Sequence, residues 1–300
     1  MELKTRPLHP RFGMEVLGVD LTALDEETHQ AILRLWQEHP LLLIRRQLLS
    51  EEDLMRFSRF FGRLEQVVRK DIHSRHNPEV VIISNLRDEQ GAPLGGLGSY
   101  DLRWHTDQSY RIHPATGAVF YALEVPPSGG NTWYANTQLA YEALPASLQQ
   151  ELQGLQGLFA YTLYDEDIKD STGAKVLREL TPDAIHPMVL THPVTGKRSL
   201  YLDPSQTFGI QGMEAGRAQA LLRELKAHAV RPEFVYQHHW RLGDVMMWDN
   251  ARLLHRRDPY DARLPRFMKR TTIFMNPEWF PVPSPLASSG ESSGQGDPTP

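Results

Sequence analysis

Ala118-Val-Phe-Tyr-Ala-Leu-Glu-Val125, Pro126-Pro-Ser-Gly-Gly130 and Asn131-Thr-Trp-Tyr134 are two runs of strand-forming side chains separated by turn-forming residues. They predict a strand, a turn and a second strand, in the manner of a hairpin. Working outward, residues 41–44, 80–84, 234–240, 245–248 and 266–275 read as further strands, and residues 10–22 alternate around glycines as a strand and turn would. Helices are fewer. Residues 27–38 carry Ile32, Leu33, Leu35 and Trp36 at helical spacing, and Ser50-Glu-Glu-Asp53 resembles a capping box opening a helix that stops at Gly62. Residues 137–153 and 214–229 also read as helical, and 158–200 mix short strands with polar insertions. Many short strands with a few outer helices predict a mainly β fold, a sandwich or jelly roll with α additions. No composition break marks an interior boundary, so residues 1–280 read as a single domain. Residues 281–300, rich in Pro, Ser and Gly, are expected to be a disordered tail.

The composition excludes whole classes of chemistry. The chain of 300 residues has a formal charge of −5, with no basic excess to track nucleic acid. It contains no cysteine, which removes disulfides, zinc–thiolate sites, iron–sulfur clusters and thiol nucleophiles, and leaves metal chemistry to His, Asp and Glu. The start of the chain lacks an apolar signal core, and the aliphatic run Leu41-Leu-Leu-Ile44 is far too short to span a bilayer. No membrane association and a cytoplasmic location are the expectation.

The chemistry concentrates at Trp104-His105-Thr106-Asp107. Side chains at i and i+2 of a strand leave one face, so His105 and Asp107 can converge on one ion. Seen alone, the pair reads first as a half-buried histidine held by an aspartate. A second imidazole would complete a 2-His-1-carboxylate facial triad, the arrangement that leaves positions open on non-haem Fe(II), and His255 in Trp248-Asp-Asn-Ala-Arg-Leu-Leu-His255 is a candidate. Arg266 and Arg270 would share one face of a strand, as a solvated face, a buried ion pair or a clamp for an anion. Most of the 13 histidines read as bland. His238 and His239 are adjacent in a strand and point apart, and His186 and His192 lie in proline-containing segments where solvation is the default.

Taken together, Trp104-His-Thr-Asp107, Gly129-Gly-Asn-Thr132, Trp248-Asp-Asn250, His255 and Arg266/Arg270 resemble the motifs of the taurine dioxygenase/TfdA family of Fe(II)/2-oxoglutarate-dependent dioxygenases. Gly18-Val-Asp-Leu21 and Phe60-Phe-Gly-Arg-Leu64 match as well, so the resemblance covers about residues 8–280. It implies a double-stranded β-helix, or jelly roll, with flanking helices. It further implies that His105, Asp107 and His255 bind Fe(II), that Arg266 and Thr132 hold the distal carboxylate of 2-oxoglutarate, and that Arg270 anchors an anionic substrate. The reaction so implied consumes O2, converts 2-oxoglutarate to succinate and CO2, and hydroxylates a small organic molecule. Family members form dimers or tetramers, which suggests a homo-oligomer here.

The substrate is less legible. A taurine enzyme of this family would carry a His-rich segment where this chain reads Glu65-Gln-Val-Val-Arg-Lys-Asp-Ile-His73, and Asp101 stands where Asn is frequent; both argue against taurine itself. Asp101, Tyr110 and Phe208 are the candidate substrate contacts, with Tyr100, Phe159, Tyr161 and Tyr164 as further aromatic candidates for the pocket. A carboxylate, sulfonate or sulfate ester is expected. Two rival readings are a biosynthetic oxygenase acting on an amino-acid-derived or natural-product intermediate, and a catalytically silent small-molecule binding protein on the same barrel. Gly91 to Gly98, four glycines in eight residues, suggests a mobile loop able to act as a lid.

Overall fold

The computed structural model describes residues 2–67, 72–96, 98–161 and 181–283. Two antiparallel sheets face each other. The larger has the order β1 (Thr5–Pro7), β2 (Met14–Val16), β3 (Leu41–Ile44), β15 (Val245–Asp249), β7 (Gly117–Glu124), β17 (Phe267–Met275) and β4 (Gly62–Leu64), with β5 (Val80–Ser84) also paired to β17. Its one parallel pair is β2 with β3. The smaller sheet has the order β14 (Val235–His238), β8 (Thr132–Asn136), β16 (Leu253–Arg257) and β6 (Leu102–His105). A three-stranded sheet, β10 (Ala184–Pro187), β9 (Gln156–Phe159) and β13 (Thr207–Ile210), and the ribbon β11 (Val189–Thr191) with β12 (Arg198–Leu200) complete the β structure.

Period-two alternation divides the apolar residues of the larger sheet between two cores. Leu41, Leu43, Phe120, Ala122, Met246, Trp248 and Met268 face inward, in one cluster with Tyr134 of the smaller sheet. Their neighbours Leu42, Ile44, Val119, Tyr121, Val245 and Met247 face outward and pack with Ile32, Leu33 and Trp36 of α1 (Glu26–Glu38) and Leu54 and Phe57 of α2 (Glu51–Arg59). Both faces are buried, so the strands are apolar nearly throughout and show no polar stripe. Asp25 caps α1 by accepting from Thr28 N. The capping box on α2 forms, with Ser50 and Asp53 each bonding the other's backbone.

The expected hairpin at 118–134 does not form. β7 pairs with β15 and β17 in the larger sheet, whereas β8 pairs with β14 and β16 in the smaller. The proline- and glycine-rich turn carries the chain across the barrel. The helix expected over 137–153 is two, α3 (Thr137–Glu142) and α4 (Ala146–Leu152), interrupted at Leu144-Pro145 because proline cannot donate within a helix. Residues 215–229 form α5. His186 and His192 are both buried, contrary to the solvated expectation. His238 is buried and His239 exposed, as alternation requires. Residues 284–300 of the expected tail lie outside the described residues. Among those described, no helix is long and apolar enough to cross a membrane.

Candidate active site

β6 ends at His105, whose direct cross-strand partner on β16 is His255. Their ring centroids lie 4.2 Å apart. Asp107 brings a carboxylate to the same point, with Oδ2 3.9 Å from His255 Nε2. One ligand atom from each of His105, Asp107 and His255 falls within 4.8 Å of the others, as shared coordination of an ion requires. The route differs from the expected strand geometry, because Asp107 lies past the end of β6 and not on it. The chain turns at Gln108, whose φ of 58° is left-handed and unusual for a residue other than glycine. Gln108 Nε2 donates to Glu65 Oε2 at 2.6 Å, and Arg111 Nη1 donates to Glu65 Oε1 at 2.8 Å, bracing that turn.

Asp203 anchors this loop from beneath. It is fully buried, and its carboxylate accepts from Thr106 N, Ser109 Oγ, Ser205 N and Gln206 N at 2.8 to 3.1 Å. His186 Nε2 donates to the carbonyls of Ser109 and Arg111 at 3.0 and 2.9 Å. From the other side, Trp248 Nε1 donates to Asn250 Oδ1 at 2.8 Å, which turns the Asn250 amide nitrogen toward Asp107 Oδ2 at 3.5 Å. Thr106 Oγ1 donates to Asn250 O at 2.7 Å. Only the Trp248-Asp-Asn motif signalled this second layer in the sequence. The contributions of Asp203 and His186 run through backbone atoms that no side-chain pattern marks.

The protonation states suit a metal. The His105 Nδ1 lies 2.7 Å from Arg103 O; a carbonyl only accepts, so Nδ1 carries a hydrogen, and Nε2 is the ring nitrogen that could ligate an ion. Burial alone would raise the Asp107 carboxyl, but the Arg270 guanidinium, helped by His255 and His105, outweighs it and holds the group down to about 2. Burial, then His105, pushes His255 down to about 3 against the opposing pull of Asp107. Two imidazoles and an ionised carboxylate are a donor set that fits Fe(II) with open coordination positions.

Arg270 lies on β17, and Arg266 immediately precedes it. Arg266 is 1% exposed, and its Nε and Nη1 have no hydrogen-bond partner among the described residues. Burial, then the nearby Arg257, pushes its pKa down to about 9. Its Cζ sits 5.7 Å from the ring centroids of both Phe120 and Tyr260. A buried guanidinium in this state calls for an anion, and the distal carboxylate of a 2-oxo diacid fits. Thr132 is buried too, and Trp240 Nε1 donates to its Oγ1 at 2.9 Å, which leaves the hydroxyl hydrogen available to another acceptor. Gly129 and Gly130, at φ of 74° and 64°, let the turn approach closely. A Cβ on Gly129 would fall 2.7 Å from Pro259 O, and one on Gly130 would sit 3.5 Å from Arg266 Nε. Arg270 Nη1 donates to both oxygens of Asp107, at 3.1 and 3.2 Å.

The remaining predicted contacts are dispersed. Tyr110 is partly buried near Asp107, edge-on to Tyr161 with centroids 4.8 Å apart. Asp101 is exposed, close enough to Arg257 to act on its guanidinium. Phe208 is 43% exposed on β13. Phe159 is fully buried against His186 and Tyr201, in the core and not a pocket. Tyr164 lies outside the described residues. Tyr100 and the end of the glycine-rich loop are tied down: Arg257 Nη2 donates to Tyr100 O, Tyr260 OH to Gly98 O and Tyr260 N to Ser99 O. Sequence reasoning missed both Arg257 and Tyr260.

The family model for taurine catabolism dioxygenase TauD, TfdA family, matches residues 4–272. The alpha-ketoglutarate-dependent 2,4-dichlorophenoxyacetate dioxygenase of Cupriavidus pinatubonensis is 34% identical over 91% of this chain and 98% of its own length. The (S)-phenoxypropionate/alpha-ketoglutarate-dioxygenase of Sphingobium herbicidovorans is 32% identical over 90% and 94%. Other relatives are named for sulfonates, for sulfate esters and for pentalenolactone F synthesis. The crystal structure of a taurine dioxygenase from Burkholderia xenovorans superposes with a TM-score of 0.77 at 30% identity, covering 96% of each chain. The chain therefore belongs to the TauD/TfdA family and is an Fe(II)- and 2-oxoglutarate-dependent dioxygenase with that family's jelly-roll fold.

Proposed function

We propose that the protein hydroxylates a small organic anion, a carboxylate, sulfonate or sulfate ester, with a carboxylate attached to an aromatic ring as the first choice. The observation that carries this reading is the pair of guanidiniums just before β17 and within it, Arg266 and Arg270. Arg266 has N–H groups without a partner among the described residues, and Arg270 reaches Asp107. In this reading His105, Asp107 and His255 hold the iron, and Arg266 with Thr132 orients 2-oxoglutarate by its distal carboxylate. Arg270 draws the anionic end of the substrate toward the metal face, and the edge-to-face pair of Tyr110 and Tyr161 offers an apolar wall to an aromatic ring. The relatives that act on 2,4-dichlorophenoxyacetate and phenoxypropionate support the aromatic carboxylate. Bound Fe(II), with 2-oxoglutarate and O2, supplies the oxidising chemistry and releases succinate and CO2.

Anaerobic addition of Fe(II) and 2-oxoglutarate should produce a weak visible charge-transfer band, and its absence would overturn the assignment of the site. Succinate release should then be stimulated by a member of a panel of aryloxyalkanoates, alkyl sulfonates and alkyl sulfates. Stimulation only by neutral compounds would sink the role given to Arg270.

A further inference from the structure

Thr132 and Tyr134 occupy positions i and i+2 of β8 and share its interior face. The Tyr134 ring is fully buried and lies nearly parallel to His255, with an interplanar angle of 27° and centroids 6.3 Å apart. Trp248 closes over it at 5.8 Å. Its hydroxyl is buried and has no hydrogen-bond partner among the described residues, the same condition as Arg266 Nε and Nη1. Burial raises the phenol well above its ordinary pKa, so it keeps its proton and stands as a donor. Among the charges that act on it are Asp107 and Arg266, one at the metal and the other at the proposed carboxylate seat. An unsatisfied phenol wholly inside a barrel is destabilising on its own account, and structures retain such groups where a ligand completes them.

From this placement we propose that Tyr134 is a third donor to the distal carboxylate of 2-oxoglutarate, beside Arg266 and Thr132. The proposal rests on the reading that Arg266 receives that carboxylate. A carboxylate offers about four lone-pair positions, enough to accept from one edge of the Arg266 guanidinium, the Thr132 hydroxyl and the Tyr134 hydroxyl together. Trp240 helps by donating to Thr132 Oγ1, which turns the threonine hydrogen away from the indole and toward the ligand. Tyr134 would thereby add selectivity for 2-oxo acids with a second acidic end.

Tyr134→Phe removes one oxygen and keeps the packing. Calorimetric titration of the full-length Mn(II)-loaded protein with 2-oxoglutarate, and separately with 2-oxobutyrate, which has no distal carboxylate, tests the assignment. The variant should bind 2-oxoglutarate about tenfold more weakly, the scale of a lost hydrogen bond to a charged group, while its weaker affinity for 2-oxobutyrate stays at the wild-type value. Equal losses for both ligands, or no loss for either, overturn the proposal. Without ligand, the melting temperature of the variant should equal or exceed that of the wild type. A marked fall would show the hydroxyl to be bonded within the protein, which also overturns the proposal. Arg266→Gln separates the underlying reading: if it too spares 2-oxoglutarate, the carboxylate seat is wrongly placed, and if it alone weakens binding, only the role of Tyr134 fails.

Discussion

Arg270 touches both oxygens of Asp107 through a single nitrogen, Nη1, so the same guanidinium can steady this proposed ligand and still present its other edge to a substrate anion. Arg270→Gln should therefore raise the KM of the primary substrate more than that of 2-oxoglutarate, measured by succinate release; the reverse ranking would mean that the residue serves the cosubstrate. At this scale much of the site was legible. His105, Asp107 and His255 stand out because a metal needs particular donor atoms, and few side chains supply them. Asp203 was not legible, because three of its four donors are backbone N–H groups, and any segment of the chain presents those.

At the scale of elements, the metal loop depends on what lies beneath it. Asp203→Asn keeps the volume but exchanges one acceptor oxygen for a donor, leaving at least one of Thr106 N, Ser109 Oγ, Ser205 N and Gln206 N unpaired in the interior. The expected outcome is a loss of about 1–3 kcal/mol in urea unfolding, together with weaker Fe(II) binding; unchanged metal affinity would show that the loop holds its shape without this anchor. His192, between β11 and β12, accepts from Val194 N and Thr195 N through Nδ1, and burial pushes it down to about 3 from 6.5. The unfolded chain then binds a proton that the native ring refuses, so stability is full above about pH 6.5 and falls as the pH drops toward 3. Urea midpoints at pH 7 and pH 5 should differ, and His192→Asn, which keeps an acceptor, should narrow the difference. Elements were less legible than residues. Residues 118–134 look like a hairpin locally, yet the partners of β7 and β8 come from distant stretches, and pairing is decided by which strands remain to cover each edge. β16 escaped notice because Leu253-Leu-His-Arg-Arg257 has no alternation; it is buried at four of five positions, two of them polar.

At the scale of the whole molecule, Arg252, held in a buried ion pair, helps tie the helical layer to the barrel. Arg252 Nε donates to Asp249 Oδ2 at 2.6 Å, while its Nη1 and Nη2 donate at 2.7 Å to the carbonyls of Gln37 and Trp36 at the end of α1. Arg252→Met would leave Asp249 charged and uncompensated in the interior, and a loss of about 3–5 kcal/mol in denaturant unfolding is expected; a loss below about 1 kcal/mol would show that the pair is replaceable. The jelly-roll class was readable from the number of short strands, but the division of apolar residues between two cores was not, since strands covered on both faces carry no polar stripe to orient them. The pairing of His105 with His255 across β6 and β16 has a consequence for the birth of the protein. Half the chain separates these neighbours, so during synthesis the first two ligands leave the ribosome long before the third exists. A nascent or truncated chain ending short of β16 has no complete seat for iron, and the oxidising centre can be assembled only in a molecule whose barrel is already closing around it.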